Sequence, residues 1–339
     1  MKSILVTGGA GFIGSNFVPY FAARYPDYRV VTFDKLTYAG NLNHLADCEG
    51  MPNHVFVRGD IADRNLVDEV MERFDIRGII HFAAESHVDN SISGPRVFVE
   101  TNLLGTFTLL DAARRTWMTA PGVYRPGYEG CRFHHISTDE VYGTLGPEGA
   151  FSETTPYAPN SPYSASKAGS DFLVRSYFHT YGMETTTSNC SNNYGPKQHD
   201  EKLIPTIIRK AFAEEPIPIY GNGRQVRDWL YVLDHCKAVD LVYHAGRSGE
   251  TYNVGACHEK TNLEIVDAVC ALLDAKRPRT EGSYRDLVQF IEDRPGHDRR
   301  YAINPAKIVS ELGWMADESF ETGLEKTVNW YLLQAGEQA

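Results

Sequence analysis

Short, almost continuously hydrophobic runs alternate with amphipathic runs along the first half of the chain. The hydrophobic runs have strand length and few polar positions, and they cover residues 3–7, 29–33, 54–58, 78–82 and 131–137. Strands of this kind are typical of a parallel sheet that is covered on both faces. The runs between them have helical periodicity, and they cover 13–23, 65–74 and 97–117. This alternation predicts an α/β fold with a doubly wound parallel sheet and right-handed crossovers.

The pattern loosens in the second half of the chain. A helix is predicted from 164 to about 181, followed by strand-like residues 184–187 and 188–193. Beyond them Gly and Pro interrupt the pattern at 194–196, 216–218 and 220–223. We therefore predict a first domain over 1–193 and a smaller, mixed α/β C-terminal lobe over 194–339. Residues 229–232 and 249–254 have strand character and are expected to return to the main sheet, so that the boundary is discontinuous, with returns near 228–256.

The composition is that of an ordinary globular protein. The 339 residues are 42% hydrophobic and 23% charged, with a formal net charge of −11. No Lys/Arg run forms the basic face that nucleic-acid binding requires, so nucleic acid is not an expected partner. No apolar stretch approaches the ~20 residues that span a bilayer. The N-terminus runs directly into a strand and a glycine turn, unlike a signal peptide, so no membrane association is expected.

Cysteine and histidine positions give no indication of a metal site. The cysteines lie at 48, 131, 190, 236, 257 and 270, without CxxC spacing, and indicate neither a disulfide framework nor zinc. His134 and His135 are neighbours on a strand and point to opposite faces. The acidic and histidine residues 199–201 are interpreted as a loop. We expect a cytoplasmic protein without a bound metal.

A glycine-rich turn follows the first strand and opens the first helix, with the sequence Thr-Gly-Gly-Ala-Gly-Phe-Ile-Gly over residues 7–14. Gly11 lets the backbone approach a pyrophosphate at the positive end of the helix, and Gly14 allows close helix–strand packing. Asp34 ends the second strand at the distance expected of an acid that binds the adenosine ribose. Such an acid would repel a ribose phosphate and so favours NAD over NADP, although Lys35 adds a cation beside it. The pattern predicts a Rossmann-type NAD-binding domain.

Further candidate cofactor residues stand at the ends of the next two strands. Asp60 and Ile61 follow the third strand, on the side expected for the adenine. Phe82, Ala83 and Ala84 follow the fourth strand, where small residues permit a cofactor to lie against the sheet edge. Their shared position at the carboxyl ends of parallel strands, where such folds bind ligands, favours a role in cofactor binding.

Tyr163 and Lys167 form a YxxxK pair that opens a helix. Residues four apart lie on one helix face. A phenol with an ordinary pKa near 10 is a poor base, but a neighbouring ammonium and a positively charged nicotinamide stabilise its phenolate. The pair therefore predicts a general base for oxidising a hydroxyl group.

The predicted strand that ends near residue 137 is followed by Thr138, Asp139 and Glu140. A Ser or Thr there hydrogen-bonds the substrate oxygen that is oxidised. A dehydrogenase has no need of the two carboxyl groups beside it. Two such groups can hold different protonation states, one donating a proton to a leaving oxygen and one removing a carbon-bound proton. The pair indicates elimination chemistry.

Several stretches resemble the dTDP-glucose 4,6-dehydratases of the extended short-chain dehydrogenase/reductase superfamily. They span nearly the whole chain, and the most specific are STDEVYG and EKLIP; the full set is TGGAGFIGSNF, DKLTYAGN, HFAAESHVDNSI, HHISTDEVYG, YSASKAGSD, SNNYGP, EKLIP, VRDWLYVLDH and DRPGHDRRY. Epimerases of the superfamily share the glycine loop and YxxxK but usually lack the Asp-Glu pair.

The resemblance implies a redox-neutral cycle on a sugar nucleotide with NAD as cofactor. Tyr163 takes the C4 hydroxyl proton while hydride passes to NAD, and Thr138 positions the oxygen. Glu140 then removes the C5 proton and Asp139 protonates the departing C6 hydroxyl. The hydride returns to C6 and C5 is reprotonated, so the product is a 4-keto-6-deoxy sugar nucleotide and the enzyme is a lyase.

The resemblance also implies binding residues. Cofactor contacts beyond those named above fall on Gly8, Phe12, Ile13, Leu36, Thr37, Thr101 and Asn193, besides Tyr163 and Lys167. Substrate contacts fall on Ser86, Thr138, Asn192, Lys202, Leu203, Pro218, Tyr220, Arg227, Asn262, Arg294 and His297. Arginine forks and a lysine charge suit diphosphate oxygens. Two positions depart from the family pattern: Lys197 stands where an aromatic residue is usual, and Asp200 where Pro is common.

Other interpretations remain at this point. A 4,6-dehydratase or a C4 epimerase acting on a UDP- or GDP-linked sugar is the alternative among enzymes, and the Asp139–Glu140 pair argues against the epimerase. A non-catalytic NAD-binding regulator is the alternative of another class, but such proteins characteristically lose the Tyr or the Lys. A homodimer through two helices per subunit is expected, because the runs 103–110 and 172–178 are apolar over more than one narrow stripe.

Overall fold

The computed structural model describes residues 1–337. Its strands are β1 (Lys2–Thr7), β2 (Tyr28–Asp34), β3 (His54–Arg58), β4 (Ile76–His81), β5 (Met118–Ala120), β6 (Val123–Tyr124), β7 (Arg132–Thr138), β8 (Thr185–Cys190), β9 (Asn192–Tyr194), β10 (Ile217–Tyr220), β11 (Val226–Tyr231), β12 (Thr251–Val254), β13 (Glu259–Thr261) and β14 (Val288–Ile291). Its α-helices are α1 (Phe12–Arg24), α2 (Arg64–Arg73), α3 (Val88–Ser93), α4 (Pro95–Phe98), α5 (Thr106–Trp117), α6 (Pro162–Tyr181), α7 (Leu203–Phe212), α8 (Val232–Ala245), α9 (Asn262–Lys276), α10 (Ala306–Leu312) and α11 (Phe320–Glu337). Short 3₁₀ turns cover Leu42–Cys48, Asp139–Tyr142 and Tyr284–Leu287.

Seven parallel strands form the main sheet, in the order β12-β8-β7-β4-β1-β2-β3. The chain moves outward from β1 to β3, then crosses back so that β4 pairs with the other edge of β1. This reversal of strand order opens a crevice at the carboxyl ends of β1 and β4, the place where doubly wound sheets bind ligands. The predicted fold class is confirmed.

Both faces of the main sheet are covered, which explains why β1, β2 and β4 are mostly hydrophobic, whereas β8 is buried although its sequence, TTTSNC, is polar. One core lies under α2, α5 and α6 and contains Leu5, Phe33 and Trp117. The other lies under α1 and α8 and contains Phe17 and Tyr243. Buried on two sides, the strands cannot show the alternation of a half-exposed sheet.

A smaller lobe has a core of its own, with Tyr194, Ile208 and Trp229 packed against α7, α9 and α11. Its sheets are small: β11 pairs with β9 in parallel and with β13 in antiparallel, and β10 pairs with β14. The mixed α/β character predicted for the C-terminal lobe is therefore present.

Three predicted elements need correction. Residues 229–232 do not return to the main sheet: 229–231 belong to β11, which pairs with β9, and Val232 begins α8. Of residues 249–254, the last four do return, as β12 beside β8. Residues 184–193 form two strands that join different sheets, because the chain leaves the main sheet after Cys190. The helix predicted over 97–117 contains a π-helical segment, Val99–Gly105, before α5.

No helix of the described residues, 1–337, is long and apolar enough to cross a membrane. Within the same range no group of three or more His, Cys, Asp or Glu side chains is placed to hold a metal ion.

Candidate active site

One cleft at the carboxyl ends of the main strands brings most of the predicted site residues together. All five predicted catalytic residues line it: Thr138, Asp139, Glu140, Tyr163 and Lys167. The predicted cofactor residues that line it are Gly8, Gly11, Phe12, Ile13, Gly14, Asp34, Lys35, Thr37, Asp60, Ile61, Phe82, Ala83, Ala84, Thr101 and Asn193. The predicted substrate residues that line it are Ser86, Asn192 and Lys202, besides Thr138.

The glycine loop is packed so closely that side chains are excluded. Gly8 has φ +70°, and a Cβ there would lie 2.5 Å from the backbone nitrogen of Ala83. A Cβ on Gly14 would lie 2.3 Å from the Gly8 carbonyl oxygen. Gly11 is the N-cap of α1, and no side chain caps the helix there. The helix N-terminus therefore presents backbone N–H groups to an anion, as a bound pyrophosphate requires.

Asp34 is held in place by the loops on either side of it. Its Oδ2 accepts a hydrogen bond from the Ala10 N–H at 2.9 Å, and its Oδ1 accepts one from the Leu36 N–H at 2.8 Å. A carboxylate has about four acceptor positions, so both oxygens can still accept from ribose hydroxyls. The neighbouring Lys35 forms an ion pair with Asp60 at 2.6 Å. This pairing partly neutralises Lys35, the one cation near Asp34 in the sequence that would favour NADP.

Tyr163 and Lys167 lie in the first two turns of α6. The helix begins there because the Ser161 and Ser164 side chains each accept from the other's backbone N–H, with Pro162 in the first turn. The Lys167 ammonium donates to the Ile136 carbonyl at 2.8 Å, and burial lowers the pKa of Lys167 to about 8. Burial raises the pKa of Tyr163 well above its usual value, and Glu140 adds to the effect. These surroundings favour the protonated phenol, whereas a nearby positive charge would favour the phenolate.

Asp171 is a buried acid of this site that the sequence analysis missed. Its Oδ2 accepts from the Ser137 hydroxyl and the Tyr157 hydroxyl, each at 2.9 Å. Burial raises the pKa of Asp171 to about 6, while Lys167 opposes the shift. Its position four residues after Lys167 was a signal, because that spacing puts both side chains on one helix face.

The neighbouring carboxyl groups of Asp139 and Glu140 have different surroundings. Thr138 ends β7, and its hydroxyl accepts the Glu140 N–H at 3.2 Å, which starts the 3₁₀ turn. Asp139 is 1% exposed, and its Oδ2 has no hydrogen-bond partner among the residues described. Burial raises the pKa of Asp139 well above its usual value, and Glu140 reinforces this shift. Asp139 is therefore the protonated member of the pair.

Glu140 is surrounded by cations. Burial raises its pKa, but the charges of Arg294, Arg227 and Lys202 oppose the shift, in that order. Because these charges favour the ionised form, Glu140 is the member of the pair suited to accept a proton.

Two of those cations are held by the smaller lobe. Arg227 donates to the carbonyls of Val226 and Asp298 at 2.8 and 2.9 Å, and its guanidinium lies 4.2 Å from the centroid of the Tyr301 ring. Lys202 donates to the Ser86 carbonyl at 3.0 Å and so reaches across to the first lobe.

Asp89, in α3 of the first lobe, also contacts the smaller lobe. It accepts from the Tyr220 hydroxyl at 3.1 Å and lies 3.5 Å from the Arg294 guanidinium. His297 is paired with Asp293 at 2.6 Å, and burial lowers its pKa. Of these residues, Arg294 is the one whose charge acts on Glu140.

Eight predicted binding residues do not belong to the cleft lining found among the described residues: Leu36, Leu203, Pro218, Tyr220, Arg227, Asn262, Arg294 and His297. Arg227 and Arg294 still act electrostatically on Glu140, as described above. Leu203 begins α7, Pro218 lies in β10, and the Asn262 N–H donates to the Gln225 carbonyl at 3.1 Å. The lining contains residues that the sequence did not single out, among them Glu85, Cys190, Gln198, His199 and Glu201.

A dinucleotide-binding sheet whose catalytic edge carries a Tyr–Lys pair defines the short-chain dehydrogenase/reductase class. The family model described as GDP-mannose 4,6 dehydratase matches residues 5–327. The dTDP-glucose 4,6-dehydratase of Xanthomonas campestris pv. campestris is 56% identical over 98% of this chain and 93% of its own length. That of Neisseria gonorrhoeae is 53% identical over 98% of this chain and 96% of its own length. The chain belongs to the dTDP-glucose 4,6-dehydratase family.

Solved structures agree with this assignment. The dTDP-glucose 4,6-dehydratase of Bacillus anthracis in complex with NAD superposes with a TM-score of 0.86 and 44% identity, covering 99% of this chain and 98% of that one. The UDP-glucose 4-epimerase of Thermotoga maritima superposes with a TM-score of 0.85 at 25% identity, covering 98% of this chain and all (100%) of that one. The fold is therefore shared with epimerases, so side chains must distinguish the two reactions.

Proposed function

We propose that this chain converts dTDP-glucose to dTDP-4-keto-6-deoxyglucose, as a hydro-lyase with NAD as its cofactor. The observation that carries the proposal is the contrast between the adjacent carboxyl groups of Asp139 and Glu140. Burial raises the pKa of both groups, but three cations oppose the shift at Glu140, whereas only Arg227 of the three is among the main influences on Asp139. An acid and a base side by side are what elimination of water requires.

The cleft fits NAD. Asp34 would accept hydrogen bonds from the adenosine ribose, and the N-terminus of α1 would receive the pyrophosphate. Bound NAD would accept a hydride from C4 of the sugar and return it to C6, which leaves the overall reaction redox-neutral. The cleft-lining residues Phe82, Ala83 and Ala84 leave room for the cofactor at the end of β4.

Tyr163 would remove the proton of the C4 hydroxyl. Burial and Glu140 raise the pKa of its phenol. A positive charge brought in with the cofactor lowers the cost of the phenolate, so that the base forms when it is needed. Thr138 would hydrogen-bond the same oxygen. The hydrogen bond to the Ile136 carbonyl fixes the Lys167 ammonium, whose charge would stabilise the phenolate.

Elimination would follow at C5 and C6. The C4 ketone acidifies the C5 hydrogen, and Glu140 takes that proton. Asp139 gives its own proton to the C6 hydroxyl, the C6–O bond breaks, and water leaves. The proton on Glu140 then returns to C5 when C6 receives the hydride. Asp139 thus uses the protonated state that burial favours, and Glu140 uses the ionised state that the three cations favour.

The smaller lobe would bind the nucleotide. Lys202, Arg227 and Arg294 bring positive charge to a diphosphate, for which guanidinium groups provide paired donors. Ser86 and Asn192 would contact the sugar. We propose that the remaining substrate contacts come from Leu203, Pro218, Tyr220, Asn262 and His297. Residues 1–193, with α8 and β12, would form the NAD-binding part, and the rest the substrate lobe.

We also propose a homodimer and a reducing compartment. Leu104, Phe107 and Phe172 are 50%, 43% and 58% exposed on two neighbouring helical segments, an apolar surface suited to a second copy. Leu110 and Tyr177, from the same predicted apolar runs, are instead buried in the core of the subunit. All six cysteines are free, as expected in the cytoplasm.

The test is to incubate the purified chain with dTDP-, UDP- and GDP-linked glucose and to measure product mass. Loss of one water from dTDP-glucose, faster than from the other two, is the expected result. A C4 epimerase would yield a product of unchanged mass. A preference for the UDP or GDP sugar would reassign the substrate but keep the reaction.

A further inference from the structure

A short segment between the two lobes crosses the cleft next to the catalytic groups. It comprises residues 196–202, directly before α7, and we call it the strap. Gln198, His199, Glu201 and Lys202 of the strap line the cleft. Opposite them, Thr37, Ala39 and Gly40 line it from the loop that follows Asp34. The strap and this adenosine-side loop therefore border the same cavity.

The strap is bonded to the adenosine-side half of the cleft at several points. The Tyr38 hydroxyl donates to Glu201 at 3.3 Å, and the Tyr38 ring meets the His199 ring edge-on at 5.3 Å. The Asn16 side chain donates to the Pro196 carbonyl at 3.0 Å. These contacts join sequence-distant segments across the cleft, so opening the cleft must break them.

Lys197 makes the most complete of these attachments. Its ammonium donates to the carbonyls of Ser15 and His44 at 3.2 and 2.8 Å, and to Asp47 at 2.9 Å. An ammonium has three N–H donors, and each has an acceptor here. The side chain is only 12% exposed, and the residue holds a left-handed backbone conformation with φ +69°. Asp47 is 65% exposed, so the ion pair contributes little and the carbonyls carry the attachment.

The Ser15 carbonyl needs this donor. It lies in the first turns of α1, where its partner would be the N–H four residues later. That position is Pro19, inside the helix, and proline has no N–H. Lys197 therefore supplies the hydrogen bond that α1 lacks, and the same ammonium fixes the strap to the Leu42–Cys48 turn through His44. An aromatic residue has at most one or two side-chain donors, so it could not supply all three bonds.

We propose that Lys197 is a positioning residue that holds the strap closed over bound NAD and so slows the escape of the cofactor. The inference rests on the proposed function, because it takes NAD as the occupant of the cleft. A cofactor that is reduced and reoxidised in each cycle is best kept in place, and an anchor joining the two sides of its cavity does this.

The test measures NAD release without turnover. The NAD-loaded full-length protein is transferred to cofactor-free buffer, and released nucleotide is followed with time. We expect Lys197→Met to release NAD on the order of tenfold faster or more, since bonds from a charged donor are lost, with Lys197→Arg intermediate. Asp47→Asn should change the rate by about twofold or less. Lys237→Met is the matched control: Lys237 pairs with Asp234 and Asp317, outside the cleft lining, and its loss should leave release unchanged.

Pro19→Ala separates strap positioning from helix repair. Alanine at position 19 gives the Ser15 carbonyl a backbone N–H donor. The loss of thermal stability caused by Lys197→Met should therefore be smaller in the Pro19→Ala background. The double variant can then be compared with wild type as a folded protein. NAD release from the double variant should remain fast, because the strap is still detached. The proposal would be overturned if Lys197→Met released NAD at the wild-type rate. It would also be overturned if adding Pro19→Ala brought the release rate of Lys197→Met back to the wild-type value. Failure to dehydrate dTDP-glucose while NAD stays bound would count against the proposed function and leave the strap inference standing.

Discussion

Replacing the carboxyl groups of Asp139 and Glu140 one at a time should separate the two halves of the elimination. Asp139→Asn and Glu140→Gln keep the size and hydrogen-bonding capacity of each side chain and remove its acid–base function. Oxidation at C4 depends on Tyr163 and should survive in both variants. Water loss depends on the two carboxyl groups and should not.

The size of the effect follows from general acid–base catalysis, which contributes ~10²–10⁴-fold per group. At about 1.4 kcal/mol per tenfold change, each substitution should raise the elimination barrier by roughly 3–5 kcal/mol. Asp139 is expected at the upper end. It is 1% exposed, and its Oδ2 has no partner within residues 1–337, so water has little access to replace it. Glu140 lines the cleft beside Lys202, where water could act as a poor substitute base.

Asp139→Asn should lower activity, but it should increase the free energy of unfolding relative to wild type at higher pH. Burial raises the pKa of Asp139 in the folded state above its usual 3.8. The stability contributed by its bound proton is complete below that value and is lost as pH rises through the raised folded pKa. Asparagine has no such proton to lose. Asp139→Asn should therefore become more stable relative to wild type as pH rises through this window, measured as unfolding free energy in denaturant titrations.

The assay combines three readouts on the NAD-loaded enzyme with dTDP-glucose. Both variants should accumulate the absorbance of reduced nicotinamide, since hydride cannot return to C6 before water leaves. Exchange of the C5 hydrogen with heavy water should be lost in Glu140→Gln and kept in Asp139→Asn. Product mass should show slow water loss in both. In a double variant that combines Asp139→Asn with Glu140→Gln, dehydration at the wild-type rate would refute the assignment. The two carboxyl groups would then only form a structural turn.

Three further outcomes are expected. Tyr163→Phe should block the first oxidation, so that no reduced-nicotinamide absorbance appears with dTDP-glucose; normal build-up of that absorbance would exclude the phenol as base. Asp171→Asn should lower the pKa of Lys167 further, because Asp171 is the larger of the two influences that raise it, and should shift the pH–rate profile of oxidation to lower pH; Asp171→Glu should restore the profile, and an unchanged profile in Asp171→Asn would contradict the role. Phe172→Glu should convert a dimer into a monomer by light scattering, because a charge would enter the 58%-exposed apolar surface; a wild-type monomer would remove the dimer proposal.

The sequence predicted the main sheet well because burial on both faces leaves a strong local pattern. Residues such as Ile4, Val6 and Ile79 are fully buried. The polar residues in those runs are tolerated where they are hydrogen-bonded, as Thr7 is to His81. The segment 229–232 has the same local pattern and was placed in the wrong sheet. Its hydrophobicity reports that Trp229 and Leu230 are buried, but not against which partner, and the partner is β9.

The proposed catalytic residues could be placed in one cleft from the sequence because they lie at strand and helix ends that the glycine loop and YxxxK spacing locate. Their protonation states required the structure. Asp139 and Glu140 are neighbours with similar ordinary pKa values, so nothing local makes one the acid. The difference comes from Lys202, Arg227 and Arg294, which oppose the rise in the pKa of Glu140, whereas Arg227 alone of these three is among the main influences on Asp139. All three cations follow β8 in the chain and reach the pair only because the smaller lobe folds back over the carboxyl end of β7. The same dependence on distant contacts applies to Lys197, whose role is visible only once Pro19 is seen to leave the Ser15 carbonyl without a donor. The family motifs contain Lys202, Arg227 and Arg294, but only the folded chain shows that these charges act on Glu140. Lys197 departs from the family pattern, and its contacts too are visible only in the folded chain.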